Sequence, residues 1–213
     1  LSLAIRLEGL ERDALTELVN IGVSRAAASL RTMVGRQVTL SVPSVEVVSR
    51  SAAAALIRER ETGLLVAVRQ AFEGAFNGQA LLIFPEQNSL ELVRSVTGGE
   101  LEGVDLLDME QEALAETGNV VLNSCLATMA NMLQRPLEMS LPEVMRGEGA
   151  QFFELQDGDN DGPQAVVLFL YINFAISDRD IRGYIAMLMD LPSLDALRRL
   201  IGEFIERVLD EEA

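Results

Sequence analysis

A glutamate and an asparagine three residues apart, Glu17 and Asn20 in "ALTELVNIGVSRAAASL" (14–30), break a segment whose Leu15, Leu18, Gly22, Ala26 and Leu30 otherwise recur at helical spacing. The same two residue types return as Glu116 and Asn119 in "EALAETGNVVLNSCLATMANML" (112–133). A carboxylate can pair with a cation, while a carboxamide can accept a hydrogen bond from water, donate elsewhere and never titrate. One turn upstream stand Asp13 and Glu112, and each asparagine is followed by 22 residues and then a proline, Pro43 or Pro142.

These side chains must be presented by two equivalent helices. At about 100° per residue, Asp13, Glu17, Asn20 and Ser24 fall within roughly a 60° arc, as do Glu112, Glu116, Asn119 and Asn123. A solvated face explains one such arc. It explains two less well, because the remaining surface of the segments has drifted, with Arg25 opposite Ser124 and Thr16 opposite Ala115. Asparagine is also a poor helix former, so its retention mid-helix in both copies requires a cause.

The two copies belong to a duplication. Segments 13–45 and 112–144 align without a gap at an offset of 99 residues, and 78–99 more loosely resembles 183–203. Each unit reads as long helix, strand, strand, strand, helix. In the first, a helix covers about 10–34, and "QVTLSVPSVEVVS" makes a strand with Pro43 at an edge or bend. "GLLVAVRQAFEG" and "NGQALLIFPE" form a hairpin, then a helix runs from an N-cap at Ser89 to a stop at Gly98; the second unit's last helix starts near Ser193. The expected fold is α+β, with duplicated units in pseudo-two-fold symmetry and an antiparallel-rich sheet carrying packed helices. Residues 1–213 are expected to form one domain of two repeats, about 1–100 and 101–213, meeting near Gly98–Gly103. The motif helices should lie near each other, with all four Glu and Asn side chains exposed.

Composition removes other chemistries. With no histidine and one cysteine among 213 residues, His-based triads, phosphohistidine and thiolate metal clusters are excluded, and Cys125 sits at an apolar helical phase that favours core packing. A formal charge of −16 disfavours nucleic acid and anionic membrane surfaces. No apolar run reaches the roughly 20 residues of a membrane span, and a reducing cytoplasm is the expected location. The chain begins at Leu1, which suggests that residues precede it. "DGDNDG" (157–162) starts like a calcium loop, but its twelfth position is Leu168 and strands flank it, so a hairpin turn is expected.

Acid, three residues, Glu, two residues, Asn, then 22 residues and Pro resembles the signature of the CheC-like chemotaxis phosphatases, the family of CheC, CheX and FliY. Asp13, Glu17, Asn20 and Pro43 match it; Glu116, Asn119 and Pro142 match again, with Glu112 where the family has Asp or Ser. Two motifs in about 200 residues are similar to the two-site form, CheC. The resemblance implies hydrolysis of the aspartyl phosphate on a CheY-type receiver, which brings its own Mg²⁺ and lysine, so no cofactor or metal of the chain's own is expected. It assigns Asn20 and Asn119 to orienting water and Glu17 and Glu116 to pairing with the receiver's lysine. Asp13, Glu112, Pro43 and Pro142 support the motif. The alternative it leaves is a non-catalytic module docking on a receiver or on the CheD deamidase.

Overall fold

A computed structural model describes residues 7–96, 105–153, 166–176 and 179–211. The Gly98–Gly103 junction, the Gly98 stop and the "DGDNDG" segment lie outside them. The element order is α1 (Gly9–Val34), β1 (Val38–Ser41), β2 (Val45–Ser49), α2 (Arg50–Arg60), β3 (Leu65–Gly74), β4 (Gly78–Pro85) and α3 (Glu86–Val96), followed by α4 (Asp105–Met132), β5 (Leu137–Met139), β6 (Glu143–Gly147), a 3-10 turn (Gly149–Phe153), β7 (Val166–Ile176), β8 (Arg179–Met189) and α5 (Leu191–Glu211).

The repeat is richer than the sequence reading. Ser49 caps an alanine-rich segment, accepting the Ala52 N–H at 3.1 Å, so "RSAAAALIRER" leaves the sheet as α2. Helix α3 begins three residues before the expected cap, and Ser89 donates back to the Glu86 carbonyl. The last helix begins at Leu191; the Asp190 carboxylate accepts the Ser193 N–H at 2.8 Å.

The eight strands among the described residues join one antiparallel sheet. Its order is β1, β7, β8, β4, β3, β5, with β2 also on β7 and β6 also on β3. Each repeat therefore sends its first two strands to the other repeat's hairpin, and β4 meets β8 at the centre. The central strands are buried on both faces, which is why "LVAV", "ALLIF" and "VVLFL" read as continuous apolar runs. One face carries the larger core, with Val68, Phe72, Leu82, Leu168 and Ile185 under α1, α3, α4 and α5. The other packs Ala67, Ile83 and Phe169 under α2 and the 3-10 turn.

Pro43 and Pro142 each sit in a bulge. The first edge ladder pairs Ser41 with Asn173 and resumes at Val45 opposite Leu170, so three residues face two. The second pairs Met139 with Phe72 and resumes at Glu143 opposite Arg69, with the same count. Of the two residues facing each bulge, the buried one is Ile172 in one half and Gln70 in the other.

The two motif helices lie side by side. Leu15, Leu18, Ala26 and Leu30 of the anticipated stripe are buried, and Gly22 meets α4 so closely that a Cβ there would stand 2.7 Å from the Cα of Cys125. Cys125 is core, as expected, and burial pushes its thiol pKa up to about 12. On α4, a Cβ at Gly118 would strike Val68 of β3 at 2.4 Å, so this helix lies directly on its strand. The repeat equivalent of Gly118 is Val19.

The same substitution should have opposite signs at two glycines. Gly22→Ala forces two backbones apart and should lose about 1–3 kcal/mol. Gly202→Ala on α5, with nothing within 4 Å of the added methyl, should gain about 1 kcal/mol from helix propensity. Urea midpoints at unchanged slope check both.

Candidate functional site

On each motif helix the structure separates the pair it was expected to expose together. Glu17 and Glu116 are exposed, as are Asp13 and Glu112, whereas Asn20 and Asn119 are half-buried. The asparagines turn toward the bulges, and this gives the spacing to the prolines a physical reason.

At the first motif, Asn20 acts as a substitute strand. Its Nδ2 donates to the Val42 carbonyl at 2.8 Å and to the Thr16 carbonyl at 3.1 Å, while its Oδ1 accepts the Val42 N–H at 2.8 Å. Val42 is the bulge residue just before Pro43, it is 1% exposed, and it falls where the ladder on β7 is interrupted. Its N–H and C=O need partners because an unpaired buried group costs about 1–3 kcal/mol. The carboxamide supplies both. Asn20 then has both amide protons committed and one lone pair left on Oδ1.

At the second motif the asparagine meets side chains. Gln70 Nε2 donates to Asn119 Oδ1 at 3.0 Å and to the Ser140 carbonyl at 2.9 Å; Asn123 Nδ2 also donates to Asn119 Oδ1, at 2.6 Å. A backbone carbonyl accepts only, so Ser140 fixes which end of the Gln70 amide faces the bulge, and Gln70 in turn fixes the Asn119 oxygen inward. Among the described residues the Asn119 nitrogen has no partner. The sequence reading gave the oxygen to water; here the free polar atoms of Asn119 are its two N–H donors.

The surroundings also differ. Leu141, the counterpart of buried Val42, is 85% exposed. Beside it an open cleft of about 650 Å³ is lined by Gln111, Glu112, Ala115, Pro142, Glu143 and Val144. Arg69 of β3 pairs with Glu143 at the rim. The cleft thus sets the exposed carboxylates of Glu112 and Glu143 beside apolar Ala115, Pro142 and Val144.

Sequence reasoning missed Gln70, Ser140 and Leu141. Gln70 had a signal: it falls in the inward phase of β3, with Val66, Val68 and Phe72, where the second repeat has Ile172. Among the described residues no cluster of His, Cys, Asp and Glu could hold a metal, and no helix is long and apolar enough to cross a membrane.

Residues 10–47 match the CheC-like family. The chain is 27% identical over 140 residues to the flagellar motor switch phosphatase FliY of Bacillus subtilis, covering 65% of this chain and 36% of that protein. It is 26% identical over 200 residues to the CheY-P phosphatase CheC of the same organism, covering 90% and 94%. The crystal structure of Thermotoga maritima FliY superposes with a TM-score of 0.73 at 18% identity, over 94% of this chain and all of that one, and so shares the fold.

The two asparagines should part company in stability. Asn20→Ala leaves the buried Val42 amide and carbonyl unpaired and should lose about 2–3 kcal/mol, whereas Asn119→Ala, which strands one N–H of buried Gln70 and no backbone group, should lose less, about 1 kcal/mol. Thermal unfolding of the two variants measures the difference.

Proposed function

We propose that this chain, a member of the CheC-like family, hydrolyses the aspartyl phosphate of a CheY-type receiver in chemotaxis. The observation that carries the reading is the exposed Glu116 one helical turn from Asn119, whose amide nitrogen is free, beside the cleft and exposed Leu141. The names of its relatives CheC and FliY support the same reaction class.

The receiver arrives with its phosphorylated aspartate, Mg²⁺ and lysine as one substrate. Glu116 pairs with that lysine and fixes the register of docking, as Glu17 does at the first motif. Asn119 offers its N–H donors to the water and a phosphoryl oxygen, holding both in line. Water attacks phosphorus, the bond from phosphorus to the aspartyl oxygen breaks, and inorganic phosphate and free aspartate result. Because phosphoryl transfer passes through a loose transition state, placing these groups supplies most of the catalysis and no nucleophile is needed from this chain. Asp13 and Glu112 add negative charge along the docking face, and Pro43 and Pro142 shape the bulges.

A second reading, docking on a receiver or on CheD without turnover, is favoured at the first motif by one observation. Asn20 is committed to Val42 and would have to leave buried backbone groups unpaired to reach a substrate.

Phosphate release from a Mg²⁺-bound phosphorylated receiver, with binding followed separately, tests the proposal. Asn20→Ala combined with Asn119→Ala should lower turnover roughly a hundredfold or more while retaining most receiver affinity. Glu17→Ala and Glu116→Ala should weaken binding, by about 1.5–3 kcal/mol for each charge-assisted contact removed. Wild-type turnover in the double asparagine variant, with normal binding, overturns the enzyme and leaves the docking module.

A further inference from the structure

Gln70 is 1% exposed in the middle of a strand, and its Oε1 has no hydrogen-bond partner. A buried amide with an orphaned oxygen costs stability, and the repeat shows that the fold does not need it, because Ile172 fills the equivalent place facing the first bulge. What Gln70 adds is a second N–H. One proton goes to the Ser140 carbonyl in the bulge, and the other holds the Asn119 oxygen at 3.0 Å. Where isoleucine stands instead, the asparagine of the same motif folds onto the bulge backbone at Val42.

We infer that Gln70 is a positioning residue, and that by holding the Asn119 oxygen inward and turning the amide outward it makes the second motif the site of turnover. Both motifs have the same spacing; they differ in the group opposite the bulge, in Asn123 where the first helix has Ser24, and in exposed Leu141 where the first bulge has buried Val42. With Gln70 present, Asn119 meets a substrate by moving against side chains that can follow it. Asn20 meets one only by abandoning two bonds to buried backbone. The inference rests on the proposed phosphatase reading and ranks its two sites.

Gln70→Met keeps the volume and removes both donors. Phosphate release from the phosphorylated receiver should fall about tenfold in kcat, with KM and receiver affinity within twofold, and adding Asn119→Ala to Gln70→Met should lower kcat no further than Asn119→Ala does alone. In the free protein, the side-chain amide ¹⁵N–¹H resonances of Asn119 should shift in Gln70→Met while those of Asn20 stay in place. A fall in kcat of twofold or less, or an unmoved Asn119 amide, overturns the inference, and Gln70 is then core filling that changes Tm alone. If Gln70→Met does not fold, Gln70→Asn, one methylene shorter and unable to span both acceptors, is read in the same two ways. Failure of the phosphatase reading is separately visible, since the wild-type chain then releases no phosphate above the receiver's own rate, and the amide resonances still decide the role of Gln70.

Discussion

The absence of a side chain at Gly22 lets two long helices touch backbone to backbone at Cys125, and the geometry of both motifs depends on that contact. Helices α1 and α4 are the only described elements that carry a Glu-x-x-Asn pair, and they share one hydrophobic core above one sheet. Their separation is therefore set by close packing, which resists change, and not by loops. The asparagines are aimed from the same platform. Each lies within reach of a bulge because its helix is pressed onto the strands, most tightly where Gly118 rests on Val68.

A shared backbone has taken two polar solutions. In the first half the carboxamide completes the hydrogen bonding of an interrupted strand, so the motif helix and the sheet edge are stitched together. In the second, Leu141 at the corresponding place is exposed and its carbonyl accepts the Ser140 hydroxyl at 3.0 Å, so the asparagine is spared that task and its oxygen is held by Gln70. Duplication makes the comparison internal: spacing and proline are held constant, and an amide in place of an aliphatic side chain across the bulge, joined by Asn123 on the helix, changes which atoms face outward.

Much of this was legible in the sequence. The repeat, the stripe through Leu15 and Leu30, the burial of Cys125 and the bend at Pro43 follow from spacing alone, and the resemblance to the CheC-like signature rests on four positions in the first copy and three in the second. The exposure of the asparagines was misjudged because an arc on a helical wheel reports direction and not what stands opposite; the bulge that receives Asn20 is 22 residues away in the chain. Helix α2 was read through because Ser49 closes a β-branched run, although the alanines after it were the better guide. Gln70 was passed over as part of an apolar strand, where one inward polar residue among valines was the informative departure. The pairing of β1 with β7 had no local signal at all, since neighbouring segments in the sequence suggest neighbouring strands.

That exchange of strands governs how the chain can be made. Residues 38–49 find their sheet partner only at 166–176, and β3 finds its outer partner only at 137–147. During synthesis the first half emerges with β1 and β2 lacking a strand to join and with the β3–β4 hairpin bare along both edges. Neither half can close until nearly the whole chain has left the ribosome. Contacts this distant in sequence slow folding and lengthen the interval in which open strand edges are available to other chains. A nascent chain of this architecture therefore has reason to need shelter that the finished molecule does not.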